Sequence, residues 1–583
     1  MKIVKMFVLL LSMVTVFQSC KKDDVVTPVP TVTTGSTLSG LAGATVKLTA
    51  TISAPGGIKS VVVLKNGVAF DNITGTGQTS LEYSKDYVIE NLTAGTLVNF
   101  TFQVTDNSNQ VSTLTTSTVT VTAVAAKTIV DVTGNIEVDT KWTKDKIYRL
   151  KGFVRVGNES VFGTVTKTAT LTIEAGTTVI GERASKGTLV VQRGSKLIAE
   201  GTATSPIVFT SERAVGEREA GDWGGVVLCG KGVSNLPDVQ ASRELEGGYG
   251  AFHGGSDAAD NSGTLKYVRI EFAGIPVNPN QEINSLTMGS VGSGTTIDYV
   301  QASFGLDDSF EWFGGSVNAK HLIAYKGLDD DFDTDNGYSG YVQFGIGIRG
   351  ASQADISGSN GFESDNDTKG SSLTPFTSAI FANMSIIGAK GEAATSISAS
   401  FQNGAQLRRN TKLKIYNTVI TGYPNGVYVD NQLAGAATNA ANGDIDLQNI
   451  VLAGVPSWGT NNWGTGGTVS FNPKGVPVSD NEQNAALTAI LIGTKKPSEW
   501  FAGLTGNKVL VKSATTGLDA TLWTTGRPKF TLPATATDLL GATLPATLPA
   551  WFTKTAYVGA FDATTDWTAT WAEFSPQSVV YIK

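Results

Sequence analysis

The sequence predicts an all-β protein, a small immunoglobulin-like β-sandwich followed by a long right-handed parallel β-helix with a C-terminal cap. Three observations carry this. Glycine is abundant at 66 of 583 residues, charged residues make up only 16%, and helix formers are sparse outside residues 482 to 503; this is turn-rich β composition. Short alternating apolar runs fill residues 42 to 123. Beyond them the chain repeats itself at a spacing near twenty-two residues. A chain of this length exceeds one ordinary core, so several domains or an elongated repeat are expected.

The N-terminus reads as an export signal over residues 1–19. Lys2 and Lys5 precede an apolar run from Met6 to Phe17, broken only by Ser12 and Thr15. The run is too short to span a bilayer but has the length of a signal-peptide core. Ser19 then precedes Cys20, the position at which a bacterial lipoprotein is cut and acylated; an ordinary secretory signal with an incidental cysteine is the alternative. Several acyl chains on Cys20 would anchor the protein stably. Loss of Lys2 and Lys5, and of no acid, takes the formal charge from −7 to −9. An acidic chain without a basic run has no electrostatic footprint for nucleic acid. The second cysteine, Cys229, lies in an apolar strand pattern and reads as a core residue.

Residues 20–41 are rich in Val, Thr, Pro, Gly and Ser without periodicity and read as a flexible tether. Over 42–125, alternation in Val46–Ile52, Ser60–Leu64, Asp86–Ile89 and Val98–Val104, punctuated by Pro55-Gly56-Gly57 and Asn66-Gly67, predicts the sandwich. Residues 127–480 carry the repeats. Leu171–Val179, Leu189–Thr202 and Pro206–Ser211 are short apolar strands between glycine turns, and Leu265–Ile270 matches Ile297–Ala302. The clearest match sets Val300–His321 on Leu322–Gln343, so that Gly305-Leu-Asp-Asp308 falls on Gly327-Leu-Asp-Asp330 and Phe310 on Phe332. Phe362 follows Phe332 after thirty residues, as if one coil held an eight-residue insertion. A twenty-two-residue coil cannot bury its own apolar face, so coils must stack, and the spacing is too short for propeller blades. In register, Phe310, Phe332 and Phe362 form an internal ladder with rungs ~4.8 Å apart. Glu311, Asp333 and Glu363 then point outward. Residues 481–583, where the repeats fade and helical spacing appears at Glu482–Leu491 and Pro497–Leu504, read as a cap with short helices.

The stacked coils gather acids: Asp307, Asp308, Glu311, Asp329, Asp330, Asp333 and Asp335, with Asp331, Glu363, Asp365 and Asp367 close by. Two like charges ~4.8 Å apart repel by about 1 kcal/mol in bulk water and by several times that near a protein surface. Calcium, which takes six to eight oxygen ligands, answers that repulsion. A solvated acidic edge and a catalytic carboxylate pair are the alternatives. The Asp331-Phe-Asp-Thr-Asp-Asn-Gly337 run is not a helical calcium hand, since its glycine is seventh rather than sixth. His253 and His321 lack metal spacing, which argues against zinc, and each reads as a turn or surface residue. No nucleophile elbow, phosphate loop or dinucleotide fingerprint appears. Trp458 and Trp463 flank Gly459-Thr-Asn-Asn462, a mixture suited to stacking on sugar rings or equally to packing against the cap.

The stretch Gly187–Thr202, Gly221-Asp-Trp-Gly-Gly225, Arg269-Ile-Glu-Phe-Ala-Gly274, Asp307–Gly315 and the closing Tyr557-Val-Gly-Ala-Phe561 resemble uncharacterised β-helix surface lipoproteins of Bacteroidetes with an immunoglobulin-like module. Cys20-Lys-Lys-Asp-Asp24 resembles their export tag. The resemblance covers most of 127–583 and implies the fold and an outer-membrane, outward-facing location; it brings no activity or catalytic residues. The leading functional reading is therefore a non-enzymatic surface protein that binds a glycan or another extended polymer. A calcium-dependent polysaccharide lyase or glycosidase, in which Lys326 or Arg349 could assist, is the second reading. An adhesive or structural lipoprotein, or an accessory subunit of an outer-membrane receptor, is the third.

Overall fold

The computed structural model describes residues 27–582 apart from 36, 124–125, 392–394, 434, 455–477, 479, 481–489 and 511–515. The chain divides between Ala126 and Lys127 into two compact units.

The first unit is a two-sheet sandwich. One sheet holds Thr31–Thr34, Thr45–Ser53 and Ser80–Val88; the other holds Leu38–Gly40, Thr115–Val121, Leu97–Asp106, Ile58–Lys65 and Val68–Thr74. Alternation decides which faces meet. Leu48, Ile52, Val98, Phe100, Phe102 and Val104 all point inward and are fully buried. Asn66 and Gly67 both have positive φ and turn the chain between two of these strands. The tether expected over 20–41 ends sooner than its composition suggested, because Thr31–Thr34 pairs antiparallel with the strand ending at Ser53. Its β-branched residues suit a short edge strand, and two prolines, Pro28 and Pro30, precede it.

The second unit is a parallel β-helix whose strands pair coil to coil from Thr128–Ile136 to Lys508–Leu510. Early coils use separate short strands, such as Lys196–Glu200 and Ile207–Ser211. Later coils fuse these into one, Gly263–Glu271, which pairs with both. The fused strand must bend, and it does so at one left-handed residue per coil: Tyr267, Tyr299, His321, Phe344, Asn383, Asn417 and Asn449. The twenty-two-residue offset is the structural register, with Val300 on Leu322 and Phe310 on Phe332. Phe362 stacks on Phe332, and the extra residues of that coil lie between Ile348 and Phe362.

One outer sheet matters for function. Its parallel strands are Thr188–Val191, Val226–Cys229, Leu286–Gly289, Phe310–Phe313, Phe332–Asp335, Phe362–Ser364, Asn403–Leu407 and Asn425–Val429. Leu286, Phe310, Phe332 and Phe362 point into the core and are fully buried. The opposite row runs Val190, Val227, Thr287, Glu311, Asp333, Glu363, Gln406 and Tyr428. Its first two members are covered by Leu245, Tyr249 and Ile283. From Glu311 onward it is acidic and polar. Cys229 is buried in the covered part.

The C-terminal residues do two different things. Trp500 and Phe501, on the helix Pro497–Ala502, join the main core at its end, which is what an end cap must do. Glu482–Leu491, expected to be helical, lies almost wholly outside the described residues. Residues from Ala542 on run instead along the flank, back toward the first coils. Thr543 and Ala542 accept hydrogen bonds from Asn449 and Asn417, Thr553 bonds with Gln343, Glu573 with Gln301, and Tyr581 with Glu271. The asparagines and glutamines at the bends thus satisfy backbone groups of a chain that has no periodicity of its own.

Candidate functional site

The acidic face is built on a row of short polar side chains: Asn284, Asp308, Asp330, Asn360, Asn403 and Asn425. Each stands two residues before an inward-facing residue of the outer sheet (Leu286, Phe310, Phe332, Phe362, Ala405 and Val427), and the row is hydrogen-bonded coil to coil from Asp308 onward. Asp308 accepts from the backbone N–H of Asp330 at 2.7 Å, Asp330 from that of Asn360, and Asn360 from that of Asn403 at 3.0 Å. Asn425 donates its side-chain amide to Asn403 at 3.1 Å. Such short polar side chains hold the corner of each coil to the next.

The asparagine rungs also donate outward. Asn360 Nδ2 donates to Glu363 at 3.1 Å, three residues on, and Asn403 Nδ2 donates to Gln406 at 3.0 Å. Asn284 Nδ2 donates to Glu311. Rungs 308 and 330 carry aspartate, which has no N–H to give. Asp308 therefore faces Glu311, and Asp330 faces Asp333, with acceptor against acceptor.

Three sets of carboxylates consequently converge, each with oxygens within 4.8 Å of one another: Asp307, Asp308 and Asp329; Asp308, Glu311 and Asp333; Asp330, Asp333 and Glu363. The second and third share Asp333. Asp308, Glu311, Asp330 and Glu363 are each exposed by less than a tenth, so the fully solvated edge weighed from sequence is not what the face presents. Side-chain oxygens of Asp329 and Asp333 are buried without a hydrogen-bond partner. Burial, reinforced by neighbouring carboxylates, raises Asp307, Asp308, Glu311 and Asp329 well above the usual carboxylate range. The same causes push Asp333 up to about 7 and Asp335 to about 6. Carboxylates in such surroundings hold either protons or a hard cation, and clusters of this kind can hold a metal ion.

Asp335 lies on the same face, in register with Phe313, but belongs to none of the three sets. Asp331 points the other way. It is fully buried and pairs with Arg349 at 3.2 Å while accepting from Tyr423 at 3.1 Å. Arg349 also donates to the carbonyls of Gly327 and Asn360, so its guanidinium is consumed in the structure. Arg408 bridges Glu363 and Asp365, and Arg409 also pairs with Asp365. These arginines bound the acidic face at one end.

His253 is buried rather than exposed, contrary to the sequence expectation. Its Nδ1 lies 2.8 Å from Ser290 Oγ, and burial lowers its pKa to about 3. His321 stacks between Tyr299 and Phe344 at a coil bend, with Asp298 2.7 Å away. Cys20, Trp458 and Trp463 lie outside the described residues. The ladder residues Asn284, Asn360, Asn403 and Asn425 escaped the sequence reading. A signal was present: Asn-Gly stands immediately before the inward-facing residue in Asn360-Gly361-Phe362, Asn403-Gly404-Ala405 and Asn425-Gly426-Val427.

Coils stacked in parallel, closed at one end and carrying carboxylates on an outer sheet, define a β-helix protein with a candidate cation site. Residues 134–505 match the family described as a pectate-lyase like beta helix domain, and the chain belongs to that family. No curated protein matches it. Among solved structures it is similar to a family 28 exopolygalacturonase of Yersinia enterocolitica, at 11% identity over 72% of this chain and 92% of that one, with a TM-score of 0.15. It is also similar to fibronectin(III)-like modules of Clostridium thermocellum CbhA, at 21% identity over 16% of this chain, with a TM-score of 0.12. The chain spans 46% of that second chain.

Proposed function

We propose that the protein is a lipid-anchored cell-surface lipoprotein whose acidic face binds calcium and, with it, polysaccharide. The observation that carries the reading is the replacement of asparagine by Asp308 and Asp330 in an otherwise amide-rich ladder. It sets acceptor against acceptor at two adjacent rungs, which a cation resolves. A β-helix of the pectate-lyase like family is a scaffold in keeping with a polysaccharide ligand. Screening the protein against a glycan array with calcium and with chelator tests this. The expected result is retention of at least one polysaccharide that depends on calcium; retention of none sinks the reading.

A second reading, hydrolysis or lyase cleavage, draws on Asp333 and Asp335, which titrate near neutrality on one strand and could divide acid and base roles. Release of new reducing or unsaturated ends from the retained polysaccharide would establish catalysis. Anchoring rests on Cys20. Cys20→Ser is expected to yield uncleaved or soluble protein without acyl label. Outer-membrane fractionation with acyl incorporation in that variant would remove the anchor from the proposal.

A further inference from the structure

The coils turn a second corner at Phe272, Phe304, Lys326 and Arg349, whose backbone N–H groups each donate to the following coil. Phe272 and Phe304 stack there at 5.6 Å. At the next rung the aromatic ring gives way to Lys326, held in the left-handed region at φ 56°. Its ammonium lies 5.0 Å over the Tyr325 ring and 6.0 Å from that of Phe304. No carboxylate among the described residues comes within ion-pairing distance of it. The side chain is half-buried, and burial alone acts on it, lowering its pKa. An ammonium withdrawn from water without a counter-charge is costly unless something else supplies one. Arg349, at the next rung, cannot share the task because Asp331 occupies it.

Lys326 opens into a cavity of about 250 Å³ whose walls include Gly350, Gly391, Thr395, Trp523 and Thr525. Trp523 comes from the C-terminal segment and is partly exposed. Its indole N–H donates to the Gly388 carbonyl at 3.0 Å, which fixes the ring. Gly391 is needed for this approach, since a Cβ there would come within 2.6 Å of the indole. Among its described lining residues the cavity thus combines a fixed aromatic surface, threonines and, beside the paired Arg349, the ammonium of Lys326 without a carboxylate partner. This mixture is suited to a ring with an apolar face and an anionic substituent.

The cavity also neighbours the acidic face. Lys326 and Asp329 are three residues apart, at most about 11 Å along the backbone. Gly350 and Ala351 line the cavity, and the same loop then reaches Asp329 through a 3.0 Å hydrogen bond from Ser357. One extended glycan could occupy both.

We propose that this cavity is a subsite for a sugar ring bearing a carboxylate or sulfate, with Lys326 as its counter-ion and Trp523 as its stacking surface. The proposal rests on the polysaccharide reading above and specifies the ligand class. Calorimetric titration of the full mature chain, in calcium, with a hexameric oligogalacturonate, a sulfated hexasaccharide and cellohexaose tests it. One of the two charged probes is expected to bind at least tenfold more tightly than cellohexaose, and which one binds distinguishes carboxylate from sulfate. Lys326→Met, with an unchanged melting temperature, is expected to remove most of that preference, Lys326→Arg to retain part of it, and Trp523→Ala to weaken binding of that probe. Equal affinity for charged and neutral probes, or a Lys326→Met variant that binds as wild type, overturns the subsite while leaving a glycan-binding protein. Binding of no probe, together with no retention on the array, overturns both.

Discussion

Phe332→Ala is expected to destabilise the β-helix by about 3–5 kcal/mol, read as a shift in the urea midpoint of protein lacking its first twenty residues. Phe332 is fully buried between Phe310 and Phe362, with ring centroids 5.7 Å away on each side, and it also meets Phe381 at 6.1 Å. The site cannot collapse to fill the space. Its neighbour Gly345 has no side chain to offer, and a Cβ built there would lie 2.1 Å from Met384 Cε. The loss should therefore include a cavity penalty beyond the lost transfer energy. In a solenoid each coil touches only its neighbours, so a weakened middle coil can separate the unfolding of the two halves into two transitions. Phe332→Leu, which keeps more of the volume, should cost less. A loss under about 1 kcal/mol for the alanine variant would mean that the aromatic ladder is not what holds these coils together.

This ladder was legible in the sequence because identical residues recur at a fixed offset. Phe310 and Phe332 share Gly-Leu-Asp-Asp before them, and alternation then places Glu311 and Asp333 on the outer face. What alternation cannot give is the cover. Asn284 and Arg408 close over Glu311 and Glu363 from other coils, so residues read as candidates for a solvated edge are largely buried. The asparagine ladder was obscured by insertions, which make the steps between Asn284, Asp308, Asp330, Asn360 and Asn403 unequal. The flank-lying C-terminal chain was illegible for a different reason. Its bonds to Asn383, Asn417 and Gln343 use backbone carbonyls at Tyr557, Ala542 and Thr553, and a carbonyl leaves no mark on the residue type. Pairing of Asp331 with Arg349 was hidden likewise, since nothing local distinguishes Asp331 from Asp329 and Asp330 just before it.

Calcium is expected to raise the melting temperature of the wild-type protein, and the rise should grow with pH between about 5 and 8. Without a cation, the carboxyls of the acidic face have folded-state pKa values raised above those of the unfolded chain, Asp333 to about 7 and Asp335 to about 6. The folded state then binds more protons than the unfolded state over that interval, so stability present at low pH is lost as pH rises through these values. A bound divalent ion needs the deprotonated form, so it replaces the missing protons where they are lost. At a hundredfold excess over its Kd it would stabilise the fold by about 2.7 kcal/mol. The decisive variant is Asp330→Asn. It restores the amide of the neighbouring rungs, giving Asp333 a donor of the kind that Asn360 gives Glu363. In chelator this variant should melt higher than wild type and lose less stability as pH rises, because an acceptor pair has become a donor and an acceptor. In calcium its response should be smaller than that of wild type. A purely structural aspartate would behave oppositely, since its removal would lower the melting temperature equally with and without calcium. That equal lowering, or a wild-type melting temperature indifferent to both chelator and calcium across the pH range, would overturn the cation site.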